Sequence, residues 1–359
     1  MTGSPALLLP AALLVLVMLA PAFALFFAGL SGRRNWLIAG LAALASFALA
    51  VTVWMLVGAV VQVALFQGAV AAVAVMTVLS VGLRAGRARG YLVFVAVWLL
   101  LVLVPVGHGL FDIDSGLLNL WLGTLDFAGS GVVAVSVGAA AVSFAIVGRG
   151  AEAVNNAPPI RPVWILVLSG VLGGVGLVAL ALGSELVVDS STPLILSTML
   201  WAMAAGTLGW TAAQLVNVHR PTVAGYVAGF FAGGVAVLAG VPWIDTGPAV
   251  ALGLSAGILG HVTAVASRRA GAGPWATVIA VLFVPGSIGM LVLGVVDRGS
   301  GLIFSGNLIA LTNQALGLAV VIGYSFAVSV LLALIIRRTL GPHARAPGTM
   351  PQERPAVMR

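Results

Sequence analysis

The chain has 359 residues, of which 61% are hydrophobic and only 7% are charged. Soluble domains carry about 25% charged residues, so this chain has too little polar surface to cover a soluble enzyme of its length. A mean hydropathy of +1.19 also excludes a disordered chain, which requires low hydrophobicity. The chain has no cysteine, which excludes disulfides and thiolate metal sites, and we expect no cofactor.

Apolar runs of spanning length follow one another along the whole chain. A membrane-spanning helix needs about 20 apolar residues, and backbone groups in lipid must be satisfied internally, which favours helices. We therefore predict an all-α polytopic membrane protein with eleven transmembrane helices. The runs are 5–30, 36–57, 62–83, 91–110, 125–147, 163–184, 193–217, 222–241, 247–267, 275–296 and 308–336. The second and third runs are nearly continuous, so the sequence defines their boundary least well.

The first run imitates a signal peptide, because Ala22, Phe23 and Ala24 resemble a cleavage site. No basic residue precedes this run, however, and the apolar stretch continues to Leu30 before Arg33 and Arg34. We therefore predict a retained helix.

The distribution of arginine predicts the orientation. All 16 basic residues are arginine, and 15 of them follow odd-numbered runs or the last run. The exception, Arg298, adjoins Asp297. Loops rich in basic residues are cytoplasmic, which predicts an N-out, C-in protein in the plasma membrane. The acids Asp112, Asp114, Glu185, Asp189, Asp245 and Asp297 fall on the opposite side. The net charge of +7 is thus a signal of topology, and nucleic-acid binding is not expected.

Eleven helices divide into five, five and one, with the second set of five inserted upside down. Such an inverted repeat has a pathway at its interface. We assign residues 1–338 to the membrane domain and 339–359 to a disordered, Arg- and Pro-rich cytoplasmic tail. Glycines also recur at helical spacing, at Gly225, Gly229 and Gly233 and at Gly253 and Gly257, and we expect them to pack helices within one subunit.

Several motifs resemble the ammonium transporter/Rhesus (Amt/Rh) family. Ala24 to Gly29, with Arg33 to Asn35, is similar to the end of the family's first helix, and Phe66-Gln67-Gly68 to its third-helix entry. The fourth-helix, fifth-helix and eighth-helix patterns are also present, as Trp98 with Pro105 and His108, as Asp126-Phe127-Ala128-Gly129, and as Pro221, Gly225, Gly229, Ala232 and Gly233. The resemblance covers about nine-tenths of the chain.

This resemblance implies a homotrimer with an ammonium or ammonia pore in each subunit. The predicted spans contain no catalytic histidine, cysteine or paired-carboxylate cluster, so we do not expect an enzyme. The resemblance also implies an aromatic outer site, two stacked gate phenylalanines and a pair of pore histidines. In this chain the histidine positions match Ala134 and Pro285, the gate positions match Val70 and Leu196, and the outer aromatic position matches Phe111. His108, His219, His261 and His343 all lie away from the predicted mid-membrane level. The chain is therefore expected to lack the family's histidine pair.

Asp126 is the only acid predicted within a spanning run. It either caps the fifth helix, where the helix dipole favours a carboxylate, or attracts cations to the pore mouth. Phe66 and Phe111 either hold a cation on the ring face or pack as ordinary aromatics. Gln67, Ser130, Ser136 and Ser287 are the polar groups nearest the pore positions.

The sequence leaves the function open between alternatives. The first is a channel or transporter for ammonium/ammonia, or for another small neutral molecule. The second is a non-transporting paralogue that acts as a sensor or structural subunit. The tail lacks the pattern by which family members couple to a cytosolic nitrogen-signalling protein, so we do not predict that partner.

Overall fold

The computed structural model describes residues 8–29, 33–57, 59–83, 88–112, 114–148, 161–186 and 188–339. Within these ranges the chain is helical and contains no β-strand. The helices are α1 (Leu8–Ala28), α2 (Arg33–Leu56), α3 (Val61–Gly82), α4 (Ala88–Phe111), α5 (Ser130–Val147), α6 (Val163–Ser184), α7 (Thr192–Val218), α8 (Val223–Val237), α9 (Thr246–Arg269), α10 (Trp275–Val296) and α11 (Ile309–Thr339). Ten are long and apolar enough to cross a membrane, and α8 is shorter. The prediction of an all-α, multi-pass membrane protein is confirmed.

Two helix boundaries differ from the predicted runs for identifiable reasons. The run predicted from residue 125 becomes helical only at Ser130, because Gly129 adopts a left-handed conformation (φ 82°) that helices do not continue. The run predicted to residue 241 ends as a helix at Val237. A turn and a short 3₁₀ segment, Val241–Trp243, follow it.

Widened π-helical turns interrupt α1 at Val15–Leu19, α4 at Leu99–Leu103 and α10 at Ile279–Phe283. Each of the three is followed two residues later by a proline, namely Pro21, Pro105 or Pro285. A proline has no N–H and its ring clashes with the carbonyl four residues earlier. The widened turn therefore lets each helix continue past its proline. A fourth π-helical turn, Ser130–Val135, opens α5.

Several helix pairs of the first half have counterparts in the second half. α2 packs on α3 as α7 packs on α8, and α1 packs on α3 as α6 packs on α8. α1 also packs against α6, and α5 against α10, which are the pairs that a five-plus-five repeat would relate. α11 lies against α5 and α10. This pattern supports the inverted repeat, whose orientation in the membrane stays a prediction.

The glycine stripes pack helices within the chain, as the sequence suggested. A Cβ added at Gly229 or Gly233 would overlap the backbone of α7 at Gly206 or Ala202. A Cβ at Gly257, on α9, would overlap the same carbonyl oxygen of Gly206. Small residues allow helix backbones to approach closely in lipid, so α8 and α9 both pack closely on α7.

Candidate functional site

A small apolar cavity lies at the centre of the helix bundle. It offers about 10 Å³ to the centre of a water-sized molecule, and a single water requires roughly 10–15 Å³ by this measure. The twelve lining residues are all apolar and all buried. They are Val15, Leu19, Phe23, Val70, Val73, Val133, Ala134, Leu177, Leu180, Val235, Leu238 and Leu282. The cavity therefore has room for about one small molecule and offers it no polar side chain.

Both halves of the chain build this cavity. α1, α3 and α5 line it from the first half, and α6, α8 and α10 from the second. On α1 the lining residues Val15, Leu19 and Phe23 are spaced four apart, which places them on one helix face. The cavity thus lies where the two predicted repeats meet.

Two of the predicted pore residues line the cavity together. Val70, at a predicted gate position, and Ala134, at a predicted histidine position, both border it and are nearly fully buried. The other residues come from faces of α1, α6 and α8 that sequence reasoning did not single out. Nothing in their hydropathy distinguishes them from apolar residues that face outward.

Pro285, the second predicted histidine position, is buried beside the cavity without lining it. Its neighbour Gly286 lies against α5, because a Cβ there would be 3.0 Å from the Ala134 Cβ. Ser130 Oγ donates to the Gly286 carbonyl oxygen at 3.2 Å. The two predicted histidine positions therefore meet at the crossing of α5 and α10, although neither supplies an imidazole.

Asp126 caps the first turn of α5. Its Oδ1 accepts the Ser130 backbone N–H at 2.7 Å, and its Oδ2 accepts those of Gly131 at 2.8 Å and Val132 at 3.2 Å. These N–H groups have no partner inside the helix, and the helix dipole favours a negative charge at this end. Asp126 is only 5% exposed and does not line the cavity. The sequence left two roles open for Asp126, a helix cap and cation attraction. The three hydrogen bonds support the role of a cap.

Phe66 lies one turn before Val70 on α3 and packs between α1 and α6. It is 4% exposed, and a Cβ added at Gly183 would overlap its ring. Phe66 thus lies one helical turn beyond the lining residue Val70 and does not itself line the cavity. Gln67, next to it, is half-buried and lies outside the cavity lining.

Phe111 and Leu196 do not join the other candidates at the cavity. The Phe111 ring lies near the turn before α5, with its Cζ 3.7 Å from the place of a Cβ at Gly129. Leu196 is 41% exposed on α7, whereas the preceding residue, Ile195, is fully buried.

An aromatic cluster packs on Phe23, one of the residues that line the cavity. Phe23, which lines the cavity, packs edge-to-face on Phe231 with ring centroids 5.3 Å apart, and Phe26 packs on the same ring at 5.1 Å. Arg161 anchors this cluster, because its Nη1 donates to the Phe26 carbonyl oxygen at 2.8 Å. Its guanidinium also lies 5.8 Å from the centre of the Phe26 ring. Phe23 lines the cavity, whereas Phe26 and Phe231 do not.

The histidines of the described chain lie away from the cavity. His108 pairs with Asp112 at 3.3 Å near the end of α4, and His219 caps the end of α7. His261 is on α9, 3.4 Å from the Asn217 side chain. His343 lies outside the described residues, as does most of the predicted tail. Among the described residues, no group of three His, Asp or Glu side chains could hold a metal ion.

The fold and the site define a polytopic α-helical membrane protein with an apolar cavity between two similar halves. Residues 58–345 match the profile of the Ammonium Transporter Family. This match covers most of the chain, so the chain belongs to that family, as its motifs predicted.

Individual relatives agree with this assignment. An ammonium transporter of Mycobacterium bovis is 29% identical over 309 residues, which cover 80% of this chain and 62% of the relative. The chain thus spans less than two-thirds of that relative's length. The crystal structure of Candida albicans Mep2 is 21% identical with a TM-score of 0.82, covering 94% of this chain and 84% of that chain. A structure titled "Sensor Amt Protein" is 21% identical with a TM-score of 0.76, covering 93% of both chains.

Proposed function

We propose that this protein moves ammonia across the membrane through the central cavity of each subunit. The observation that carries the proposal is the wholly apolar cavity at the junction of the two halves, in a chain of the ammonium transporter family. The named relatives that are ammonium transporters support this substrate.

The lining favours the neutral molecule over the ion. Ammonium would lose its hydration shell at Val70 and Ala134 without any polar side chain to replace it, which costs several kcal/mol or more. Ammonia carries no net charge and is about the size of water. Ammonium that reaches the outer mouth therefore releases its proton to the aqueous phase there, and ammonia alone crosses.

Transport of the neutral species would be electroneutral. Proteoliposomes given an ammonium gradient should show internal alkalinisation, followed with a pH-sensitive dye, and no protein-dependent current on a solid-supported membrane. A current that scales with the amount of folded protein would refute passage of neutral ammonia. Alkalinisation no faster than in empty liposomes would refute transport.

Val70→Trp provides the matching variant, because the larger ring would fill the cavity that Val70 lines. Ammonia flux should fall at least tenfold. Val262→Trp is the control, since Val262 is 53% exposed on α9 and lies outside the cavity. Equal flux in both variants would show that the path does not pass this cavity.

We assign the vestibule to the start of α3, the end of α4 and the segment before α5. The candidate residues there are Phe66, Gln67, Phe111 and Asp126. Leu196 stays a candidate only because its position matches a gate phenylalanine of the family. We also propose a homotrimer in the plasma membrane, as the family resemblance implies, and native mass spectrometry in detergent would test it. A cytosolic regulatory partner is not proposed.

A sensor without transport is the second candidate. It is supported by the small volume of the cavity and by the buried lining residue Phe23, whose ring packs on the buried Phe231. This candidate predicts ammonium-dependent stabilisation of the protein in the absence of flux. Flux that Val70→Trp abolishes would exclude it.

A further inference from the structure

A second, larger cavity lies beside the end of α10, away from the central one. It offers about 270 Å³ to the centre of a water-sized molecule, which is enough for a hydrated ion. The end of α10, the loop after it, the start of α11 and the segment before α5 form its walls. By the predicted orientation it opens to the outside. None of its lining residues borders the central cavity.

Asp297 supplies a buried charge to this cavity. It is 5% exposed, and its carboxylate accepts N–H bonds from Gly299 at 3.3 Å and Ser300 at 2.7 Å and the Ser300 hydroxyl at 2.6 Å. A carboxylate has about four lone-pair sites, so these three bonds leave it capacity for a further partner. The neighbouring Arg298 does not neutralise it, because that guanidinium pairs with Asp245 at 2.9 Å.

Gln314 supplies an independent sign of a ligand. Its side chain is 2% exposed and lines the same cavity, and its Nε2 donates to the Leu125 carbonyl oxygen at 3.1 Å. Its Oε1 is buried and has no hydrogen-bond partner among the described residues. A buried acceptor without a partner costs roughly 1–3 kcal/mol. The Asn313 side chain lines the same cavity.

We propose that this cavity binds a monovalent cation between the Asp297 carboxylate and the Gln314 amide oxygen. The lining contains one carboxylate, neutral oxygens and no basic side chain, which favours a cation over an anion. A single carboxylate balances one positive charge, whereas calcium sites commonly use several carboxylates among six to eight oxygen ligands. Ammonium and potassium, which have similar radii, share this chemistry.

Thermal unfolding of the purified full-length protein tests the site. A ligand that binds only the folded state raises its stability with concentration. Ammonium chloride and potassium chloride are each titrated against N-methyl-D-glucamine chloride at constant ionic strength. The wild type should show a saturable rise in Tm, and the two titrations together identify the preferred cation. Asp297→Asn and Gln314→Met should each raise the apparent Kd at least tenfold.

Two control variants match these changes. Gln214→Met removes a buried glutamine whose amide nitrogen and oxygen both bond Thr222, and Asp114→Asn removes an exposed acid on the same predicted face. Both should keep the cation response. Gln314→Asn, which shortens the side chain but keeps the amide, serves if Gln314→Met does not fold.

Three results would overturn the proposal. They are a wild type with no cation-specific shift, a shift that survives in both site variants, and a response to calcium chloride alone. The first result means that no monovalent cation binds, the second that the cation binds elsewhere, and the third, from a parallel calcium chloride titration, that the site is selective for a divalent ion. The assay measures no flux, so a failure of transport through the central cavity would leave its outcome unchanged.

Discussion

Replacing Asp126 by asparagine tests the cap that starts α5. The carboxylate accepts three backbone N–H bonds with its two oxygens. An asparagine amide has one oxygen. That oxygen can accept the N–H groups of Gly131 and Val132, but the amide NH₂ group would then face the Ser130 N–H, which would lose its acceptor. A bond to a charged group contributes about 1.5–3 kcal/mol, and an unpaired buried donor costs about 1–3 kcal/mol. We expect a loss of roughly 3–5 kcal/mol in the free energy of unfolding.

Alanine at this position should cost more than asparagine, because all three donors lose their partner. The measurement is the Tm of wild type, Asp126→Asn and Asp126→Ala, purified in one detergent, with Asp114→Asn as control. Asp114 lies in the exposed loop before α5, and its side chain makes no hydrogen bond within the described residues. The control should unfold with the wild type, and the other two should unfold earlier in that order.

Hydrogen exchange locates the effect. The backbone amides of Ser130, Gly131 and Val132 should exchange faster in Asp126→Asn, because the carboxylate protects those N–H groups directly. If Asp126→Asn keeps the wild-type Tm and the wild-type exchange at these amides, the cap does not hold α5 as described, and cation attraction becomes the better account of this acid.

Other contacts make further predictions. Gly206→Val should prevent accumulation of folded protein in a detergent-solubilised size-exclusion assay, because its side chain would overlap the backbone of α8 at Gly229 and Gly233. Gly323→Ala, with open space around it, should behave as wild type. The Ser325 hydroxyl donates to the Ser136 hydroxyl at 3.1 Å, so Ser325→Ala should lower the free energy of unfolding by about 1 kcal/mol. Ser136→Ala should lower it further, because the Ser325 hydroxyl would then be buried without a partner. Hydrogen bonds from the Ser115 hydroxyl and the Asp114 backbone N–H hold the pKa of Asp112 below its ordinary 3.8. The wild type should therefore have a higher Tm than Asp112→Asn at pH 6. This difference should disappear as the pH falls below the lowered pKa.

The two cation roles considered for this chain separate in the structure. The Asp126 carboxylate accepts backbone N–H groups at the start of α5. Asp297 instead lines an open cavity together with Gln314, whose amide oxygen has no partner among the described residues. The sequence drew attention to Asp126 because it is the acid within a spanning run. Asp297 follows its run like the other outer acids, and only its burial and its neighbour Gln314 distinguish it.

The residues by themselves determined the number and the positions of the helices. Lipid accepts only long apolar segments with internally bonded backbones, so hydropathy alone locates the spans to within a few residues. Gly129 moved the start of α5 past its predicted position, because a left-handed residue ends the regular backbone that apolarity alone would extend. The short motifs also determined the family.

Only the tertiary structure decided which apolar residues line the cavity. Val70 borders it, and Val262 faces outward from α9, yet both are valines on spanning helices. In a soluble protein the contrast between core and water would mark the buried face, but here the lipid and the cavity are equally apolar. Hydropathy therefore cannot distinguish the inward face of a spanning helix from its outward face. The packing of the two halves determines which face lines the cavity.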